Sequence, residues 1–209
     1  MRLYSSPTSS ASYRARIALH LKGIAFETVT VDIYKGDQHK PDYRRRYPLG
    51  RVPALELDDG TIIGQSLAII DYLEQVRPIP RLYPADPVQR ARALAIALTV
   101  AADIHPLNNT GVHGYLRDQM GLDQAARDKW YAHWVRAGLA AIEQMIDGKG
   151  LCIGSEPTVA DVCLVPQVLN ARKNKVDISD LRKVLAVDEK ARQLPAFAAA
   201  APERQPQAA

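Results

Sequence analysis

The chain has 209 residues, 47% hydrophobic and 24% charged, which is the composition of an ordinary globular protein and room for one large domain or two small ones. Its formal charge is +4, with Lys and Arg spread along the chain instead of blocked, so the balance points to small anions and not to nucleic acid. No apolar run has the length of a membrane span and no apolar leader precedes a cleavage site, while Cys152 and Cys163 match no metal spacing, so a soluble, cytoplasmic protein with no membrane and no metal partner is expected.

Met1-Arg2-Leu3-Tyr4 reads as a short strand, and residues 8–21 follow it with four hydroxyl side chains ahead of a helix that carries Arg14 and Arg16. One serine there can cap the helix by accepting a backbone N–H, and another can point outward beside the positive end of the helix dipole, where an anion such as a thiolate is favoured. A plain capped helix is the competing reading. Lys22-Gly23 closes the helix, and Phe26 to Ile33 alternates as a half-exposed strand, giving strand, helix, strand and hence a parallel pair.

Tyr34 to Tyr47 is polar and basic, with one short helix at most. Val52 to Leu57 is a strand that opens on Val-Pro; Asp58-Asp59-Gly60-Thr61 turns it back into Thr61-Ile62-Ile63; Gln65-Ser66 then begins the helix Leu67 to Gln75. A cis Val52-Pro53 bond would turn the Val52 backbone towards a groove, and a trans proline at a sheet edge is the alternative. The order is βαβαββα, that of a thioredoxin-like α+β domain over residues 1–79. Residues 80–86 belong to a proline-rich linker, and residues 87–209 carry only helical patterns, an all-α domain. Its helices are expected at Pro87 to Ala102, about Asn108 to Met120, Gln124 to Ile146, Asp161 to Arg172, Leu181 to Arg192 and Pro195 to Ala201. Trp130 and Trp134, four apart, are expected in the core with Leu139 and Ile142. The capping box Thr158-Val159-Ala160-Asp161 marks Asp161 as a fold determinant. The tail Pro202 to Ala209 carries no core signal.

Ser9-Ser10-Ala11-Ser12-Tyr13-Arg14-Ala15-Arg16-Ile17-Ala18-Leu19 is similar to the signature Ser-Ser-Cys-x-x-Arg-x-Arg-Ile-Ala-Leu of the zeta class of the glutathione S-transferase superfamily, the class that includes maleylacetoacetate and maleylpyruvate isomerases. Gln65-Ser66 after the hairpin, Asp103-Ile104-His105-Pro106-Leu107-Asn108-Asn109, Gly154 through Asp161, and Leu164-Val165-Pro166-Gln167-Val168 with Asn170-Ala171 extend the resemblance over nearly the whole chain. The resemblance implies glutathione as cofactor. Ser9 would be the thiolate partner with Ser10 beside it, the Val52-Pro53 backbone would hold the cysteinyl amide, and Gln65 and Ser66 the γ-glutamyl end. His105 and Asn109 would lie on the thiol side, against the alternative that Pro106 kinks the helix and His105 packs there. Arg172 and Lys173 would meet a substrate carboxylate.

The implied activity is glutathione-dependent cis–trans isomerisation of maleylpyruvate or maleylacetoacetate in aromatic-compound breakdown, by thiolate addition, bond rotation and elimination. Conjugation or dehalogenation of small electrophiles is the alternative, and a non-catalytic interaction module with the same fold is a third reading. A homodimer is the usual assembly of the family. Departures from the class pattern bear on substrate more than on cofactor: Ala11 replaces the usual cysteine, Thr8 and Lys173 stand where arginines are usual, and Gly50-Arg51 precedes Val-Pro in place of a polar pair, with Arg51 available to the glycyl carboxylate.

Overall fold

A computed structural model of the chain describes residues 1–206. The described chain falls into two compact units, Met1–Leu82 with residues 193–206, and Tyr83–Arg192.

The first unit holds a four-stranded sheet in the order β2-β1-β3-β4. Strand β1 (Arg2–Ser5) pairs parallel with β2 (Glu27–Thr30), and antiparallel with β3 (Ala54–Glu56), which in turn pairs antiparallel with β4 (Ile62–Gly64). Helices α1 (Ser10–Leu21), α2 (Pro41–Arg46) and α3 (Ser66–Val76) complete a thioredoxin-like βαβαββα unit. The chain reverses between β3 and β4 at Asp58-Asp59-Gly60-Thr61, where Gly60 has φ of +86° and Thr61 N–H bonds Asp59 Oδ1.

From Ser10 to Leu19 every residue of α1 is buried. That is why its apolar pattern is not one-sided, and why its two arginines are internal. The C-terminal helix α9 (Pro195–Ala200) packs on α1: Tyr13 Oη donates to Phe197 O at 3.2 Å and Arg16 Nε to Ala200 O at 2.9 Å. The segment from Gln193 therefore falls with the first unit, whereas the sequence reading kept it with the helical one. A buried ion pair closes the other end of α1. Lys22 Nζ lies 2.5 Å from Glu74 Oε2 on α3 and 2.5 Å from Pro80 O, and Glu74 also accepts from Leu82 N.

The second unit is helical: α4 (Pro87–Leu98), α5 (Thr110–Asp118), α6 (Gln124–Met145), α7 (Val159–Lys173) and α8 (Arg182–Arg192). Asp86, Asn109, Asp123 and Thr158 cap α4 to α7 through their side chains. Thr158 and Asp161 form the capping box, and the buried Asp161 also accepts Cys152 N at 2.8 Å. The helix expected to run to Ala102 ends earlier. Past Leu98 the chain widens into a π-helical turn, Thr99–Ile104, then tightens into a 3-10 turn, His105–Asn108, because Pro106 has no N–H to continue the α pattern.

The two tryptophans correct the sequence reading. The buried face of α6 is Tyr131, Val135, Leu139 and Ile142: the last two are buried as expected, while Tyr131 and Val135 stand in place of the two tryptophans. Trp130 and Trp134 are half-buried on its flank, edge to face at 5.8 Å, with Trp130 Nε1 donating to Leu107 O. The indole N–H needs that carbonyl, which a wholly apolar core position would not supply. Of the tail, Pro202–Arg204 forms a 3-10 turn, and 207–209 lie outside the described residues. No helix among the described residues is long and apolar enough to cross a membrane.

Candidate active site

Strand register brings three loops to one end of the sheet in the first unit. Because Tyr4 faces Ala54 across β1 and β3, and Ala54 faces Gly64 across β3 and β4, the exit of β1, the entry of β3 and the exit of β4 lie side by side. Those three points carry Ser9-Ser10, Val52-Pro53 and Gln65-Ser66. Two helices, α1 and α3, start there, so their unsatisfied N–H groups and positive dipole ends are aimed at the same end.

Ser9 is the N-cap of α1. Its Oγ accepts from Ser12 N at 3.2 Å, which leaves the hydroxyl proton to donate, and the residue is partly exposed. Ser10, the first helical residue, is buried. The loop before Ser9 is held from several sides. Ser6 N–H bonds Ser12 Oγ at 3.3 Å, Ser6 O accepts both Ser9 N and Arg16 Nη1 at 3.2 Å, and Pro7 O accepts Arg16 Nη2 at 3.2 Å. Thr8 is exposed and its Oγ1 lies 3.5 Å from Tyr34 Oη.

The Val52-Pro53 bond is cis. Tyr43 Oη donates to Arg51 O at 2.6 Å and fixes the segment that leads into it. Burial pushes the Tyr43 phenol up, in keeping with a phenol that stays a donor. Gly50, with φ of +57°, comes so near the Gln38 carbonyl that a Cβ there would sit 2.9 Å from its oxygen.

Gln65 precedes α3 with φ of +64°, a left-handed value uncommon for a residue with a side chain, and such strain gathers at ligand sites. Ser66 is buried and its Oγ accepts from Arg14 Nη1 at 3.4 Å, which ties the starts of the two helices together. Tyr47 braces the same turn from below. Its oxygen takes a hydrogen bond from the Gln65 backbone, and its ring fills the space a side chain on Gly64 would need. Tyr47, Arg14 and Arg16 were absent from the sequence-derived site. The signal for the arginines was two cations inside a short helix whose other residues are mostly small or apolar.

The other four predicted residues belong to the second unit. His105 starts the 3-10 turn. Asn109 caps α5: its Oδ1 accepts from Val112 N at 3.0 Å and its Nδ2 donates to Pro106 O at 2.8 Å. Arg172 Nη1 is 2.5 Å from Asp188 Oδ2 on α8, so its charge answers a buried carboxylate. Lys173 is exposed and makes no ion pair among the described residues. Nowhere among the described residues do three His, Cys, Asp or Glu side chains group as a metal site would require.

Residues 8–76 match the glutathione S-transferase N-terminal domain. The chain is 43% identical over 208 residues to a maleylacetoacetate isomerase of Pseudomonas aeruginosa, with 99% of this chain and 98% of that one covered. Its fold is similar to a holo structure of maleyl pyruvate isomerase, a bacterial zeta-class glutathione S-transferase, with a TM-score of 0.96, 41% identity and both chains covered in full. It is also similar to the maleylacetoacetate isomerase of Anaeromyxobacter dehalogenans solved with dicarboxyethyl glutathione and citrate in its active site, with a TM-score of 0.88, 36% identity, and 100% and 97% of the two chains covered. With capped serine, cis Val-Pro and Gln-Ser already at one end of the sheet, identity of this extent settles descent: the chain belongs to the glutathione S-transferase superfamily, in its zeta class of maleylacetoacetate and maleylpyruvate isomerases.

Proposed function

We propose that the chain is a glutathione-dependent cis–trans isomerase of maleylpyruvate or maleylacetoacetate, acting in the breakdown of aromatic compounds. The observation that carries this reading is the meeting of two helix N-termini and the Val52-Pro53 segment at one end of the sheet, in a chain 43% identical to a maleylacetoacetate isomerase along its length.

The residues present suit glutathione. An anionic γ-glutamyl end is matched by the start of α3, with Ser66 and the strained Gln65 backbone. A peptide-like centre is matched by the Val52 backbone, and the glycyl carboxylate by Arg51. A sulfur is matched by the Ser9 hydroxyl, with Ser10 beside it at the positive end of α1. When bound, glutathione supplies a nucleophilic sulfur for reversible addition across the cis double bond, and it is regenerated in each turnover.

The chain's own part is electrostatic. Ser9 Oγ accepts from Ser12 N and keeps its proton for the sulfur, favouring the charged form of the thiol. The α1 loop keeps that hydroxyl in place: Ser6 N–H donates to Ser12 Oγ, and Arg16 donates to Ser6 O and Pro7 O. Class resemblance assigns His105 and Asn109 to the thiol side and Arg172 and Lys173 to a carboxylate of the substrate. Of that last pair Lys173 is the freer cation, since Arg172 is held by Asp188. A point charge grips a carboxylate less strictly than a planar fork does. That difference keeps conjugation of small electrophiles as the second reading.

The homodimer usual in the class is part of the proposal. It gives a use to Val88 and Leu98 on α4, apolar side chains that are 66% and 43% exposed, and sedimentation of the purified chain tests it. The activity is tested by following the loss of maleylpyruvate or maleylacetone absorbance with and without glutathione. Loss that depends on glutathione supports the isomerase. No such loss, with a conjugate formed from an activated halide, supports the transferase.

A further inference from the structure

Three side-chain cations of the first unit, Arg14, Arg16 and Lys22, are almost wholly buried along α1, and the last two are treated differently. Lys22 is answered by the carboxylate of Glu74. Arg16 has no exposed surface, and no carboxylate among the described residues pairs with it: its hydrogen bonds run to Ser5 Oγ at 2.9 Å, Ser6 O, Pro7 O and Ala200 O. All four acceptors are neutral. A buried guanidinium is costly, and neutral oxygens solvate it without cancelling its charge. Burial accordingly holds Arg16 down to about 10.

Where that charge sits is as telling as its lack of a partner. Ser6 O accepts Arg16 Nη1 on one side and Ser9 N on the other, each at 3.2 Å. The guanidinium thus stands two hydrogen bonds from the backbone of the proposed sulfur-binding serine, beneath the positive end of α1. Few other charges face it. On α1 there are Tyr13, whose ring centroid is 5.5 Å from the Arg16 carbon, His20, and Arg14, which donates to Ser66. From α3 come the exposed Asp71 and Glu74, which is tied to Lys22. On β1, Arg2 and Tyr4 alternate onto the face opposite Ser5, where both bond Glu56. Helix α9, Pro195-Ala-Phe-Ala-Ala-Ala, carries no ionisable side chain. After burial itself, Arg16 is the second cause that holds His20 below its ordinary value, so its field reaches a neighbour along the helix.

We propose that Arg16 is a positioning residue of the thiol site, holding the Ser6-Pro7 loop while its unanswered charge favours ionisation of the glutathione thiol beside Ser9. The proton released goes to solvent. The inference rests on the glutathione reading above.

The test is a pH titration of the thiolate absorbance of bound glutathione, with binding itself measured separately by calorimetry. Four variants are compared with the parent: Arg16→Lys and Arg16→Gln, and Ser5→Asp and Ser5→Asn. Ser5→Asp puts a carboxylate beside Arg16 Nη1, and Ser5→Asn is its uncharged counterpart of similar size. The expected result is ionisation in the parental range for Arg16→Lys and Ser5→Asn. Arg16→Gln and Ser5→Asp should ionise about one pK unit higher, the size of shift one charge gives at this remove in a partly buried site. A purely structural Arg16 would lower melting temperature and glutathione affinity in its variants but leave the ionisation range alone, and Ser5→Asp would match Ser5→Asn. That result would overturn the proposal. If Arg16→Gln does not fold, the Ser5 pair decides. If the parent itself binds no glutathione, the functional reading fails and this inference with it, an outcome the calorimetry shows on its own.

Discussion

Replacing Gly64 by alanine tests whether Tyr47 holds the glutathione end of the site in shape. An ideal Cβ on Gly64 would lie 2.1 Å from Tyr47 Cζ and 2.2 Å from both Cε2 and Oη. Ordinary carbon contacts begin at roughly 3.5 Å, so the ring or the turn must move by more than ~1 Å. Overpacking of this kind costs about 1–3 kcal/mol, and displacing the phenol from the Gln65 backbone adds about 0.5–1.5 kcal/mol. Stiffening the unfolded chain offsets about 0.4–1 kcal/mol, leaving a net loss of about 0.5–4 kcal/mol. Because the turn carries Gln65 and Ser66, glutathione affinity should fall at least ~10-fold, which is ~1.4 kcal/mol. The decisive comparison is a cycle with Tyr47→Ala, in which the ring that causes the clash is gone. Gly64→Ala should then cost at least ~1 kcal/mol less than it does in the parent, a coupling of the size contacting residues show. Urea denaturation and glutathione calorimetry on the four proteins read both quantities. Additive stabilities, or an unchanged affinity in Gly64→Ala, would refute the bracing role.

Other parts of the structure make their own forecasts. Ser9→Ala removes both the α1 cap and the hydroxyl offered to sulfur, so stability should fall by ~1 kcal/mol and turnover by ~10-fold or more; Ser9→Thr should keep most of both, and a larger loss of turnover in Ser10→Ala would reassign the catalytic serine. Lys22→Met removes the buried cation paired with Glu74 and should cost about 3–5 kcal/mol in urea denaturation, while Arg117→Ala, which breaks an exposed pair with Asp118, should leave the denaturation midpoint almost unchanged. Burial, then the charge of Arg127, holds His113 below its ordinary value. The unfolded chain therefore takes up a proton that the folded one resists. Stability from this group is present above its unfolded value of roughly 6.5 and is lost as pH falls through that value towards the folded one. Melting temperature should drop between neutral and mildly acid pH, and His113→Leu should shallow that slope; an unchanged slope would place the effect elsewhere.

How much of this could be read from residues alone depended on how local the cause was. The βαβαββα order and the Thr158-Asp161 box follow from neighbours in sequence, and the structure shows both; a serine cap on α1 was expected and Ser9 supplies it, while the Val52-Pro53 bond, open to cis or trans from the residues alone, is cis. What escaped was set by contacts distant in sequence. Tyr47 meets Gly64, Arg16 reaches Ala200 across 184 residues of chain, and Arg172 answers an aspartate on another helix. The two tryptophans of α6 show a different limit. Large aromatic residues four apart mark a helical face, but the indole N–H moved Trp130 to a place where a carbonyl was in reach, and Tyr131 and Val135 joined the expected Leu139 and Ile142 in the centre. The π-helical turn at Thr99–Ile104 was likewise beyond a reading in which Pro106 alone signals a break.

The central claim is that glutathione acts here as a recycled cofactor. It is tested most directly by proton NMR of a maleyl substrate with the enzyme and substoichiometric glutathione, with free thiol counted alongside. The account predicts that the cis vinyl signals convert completely to those of the trans, fumaryl product while the thiol count is unchanged at the end. Thiol consumed in step with substrate, with a saturated thioether accumulating, would contradict it.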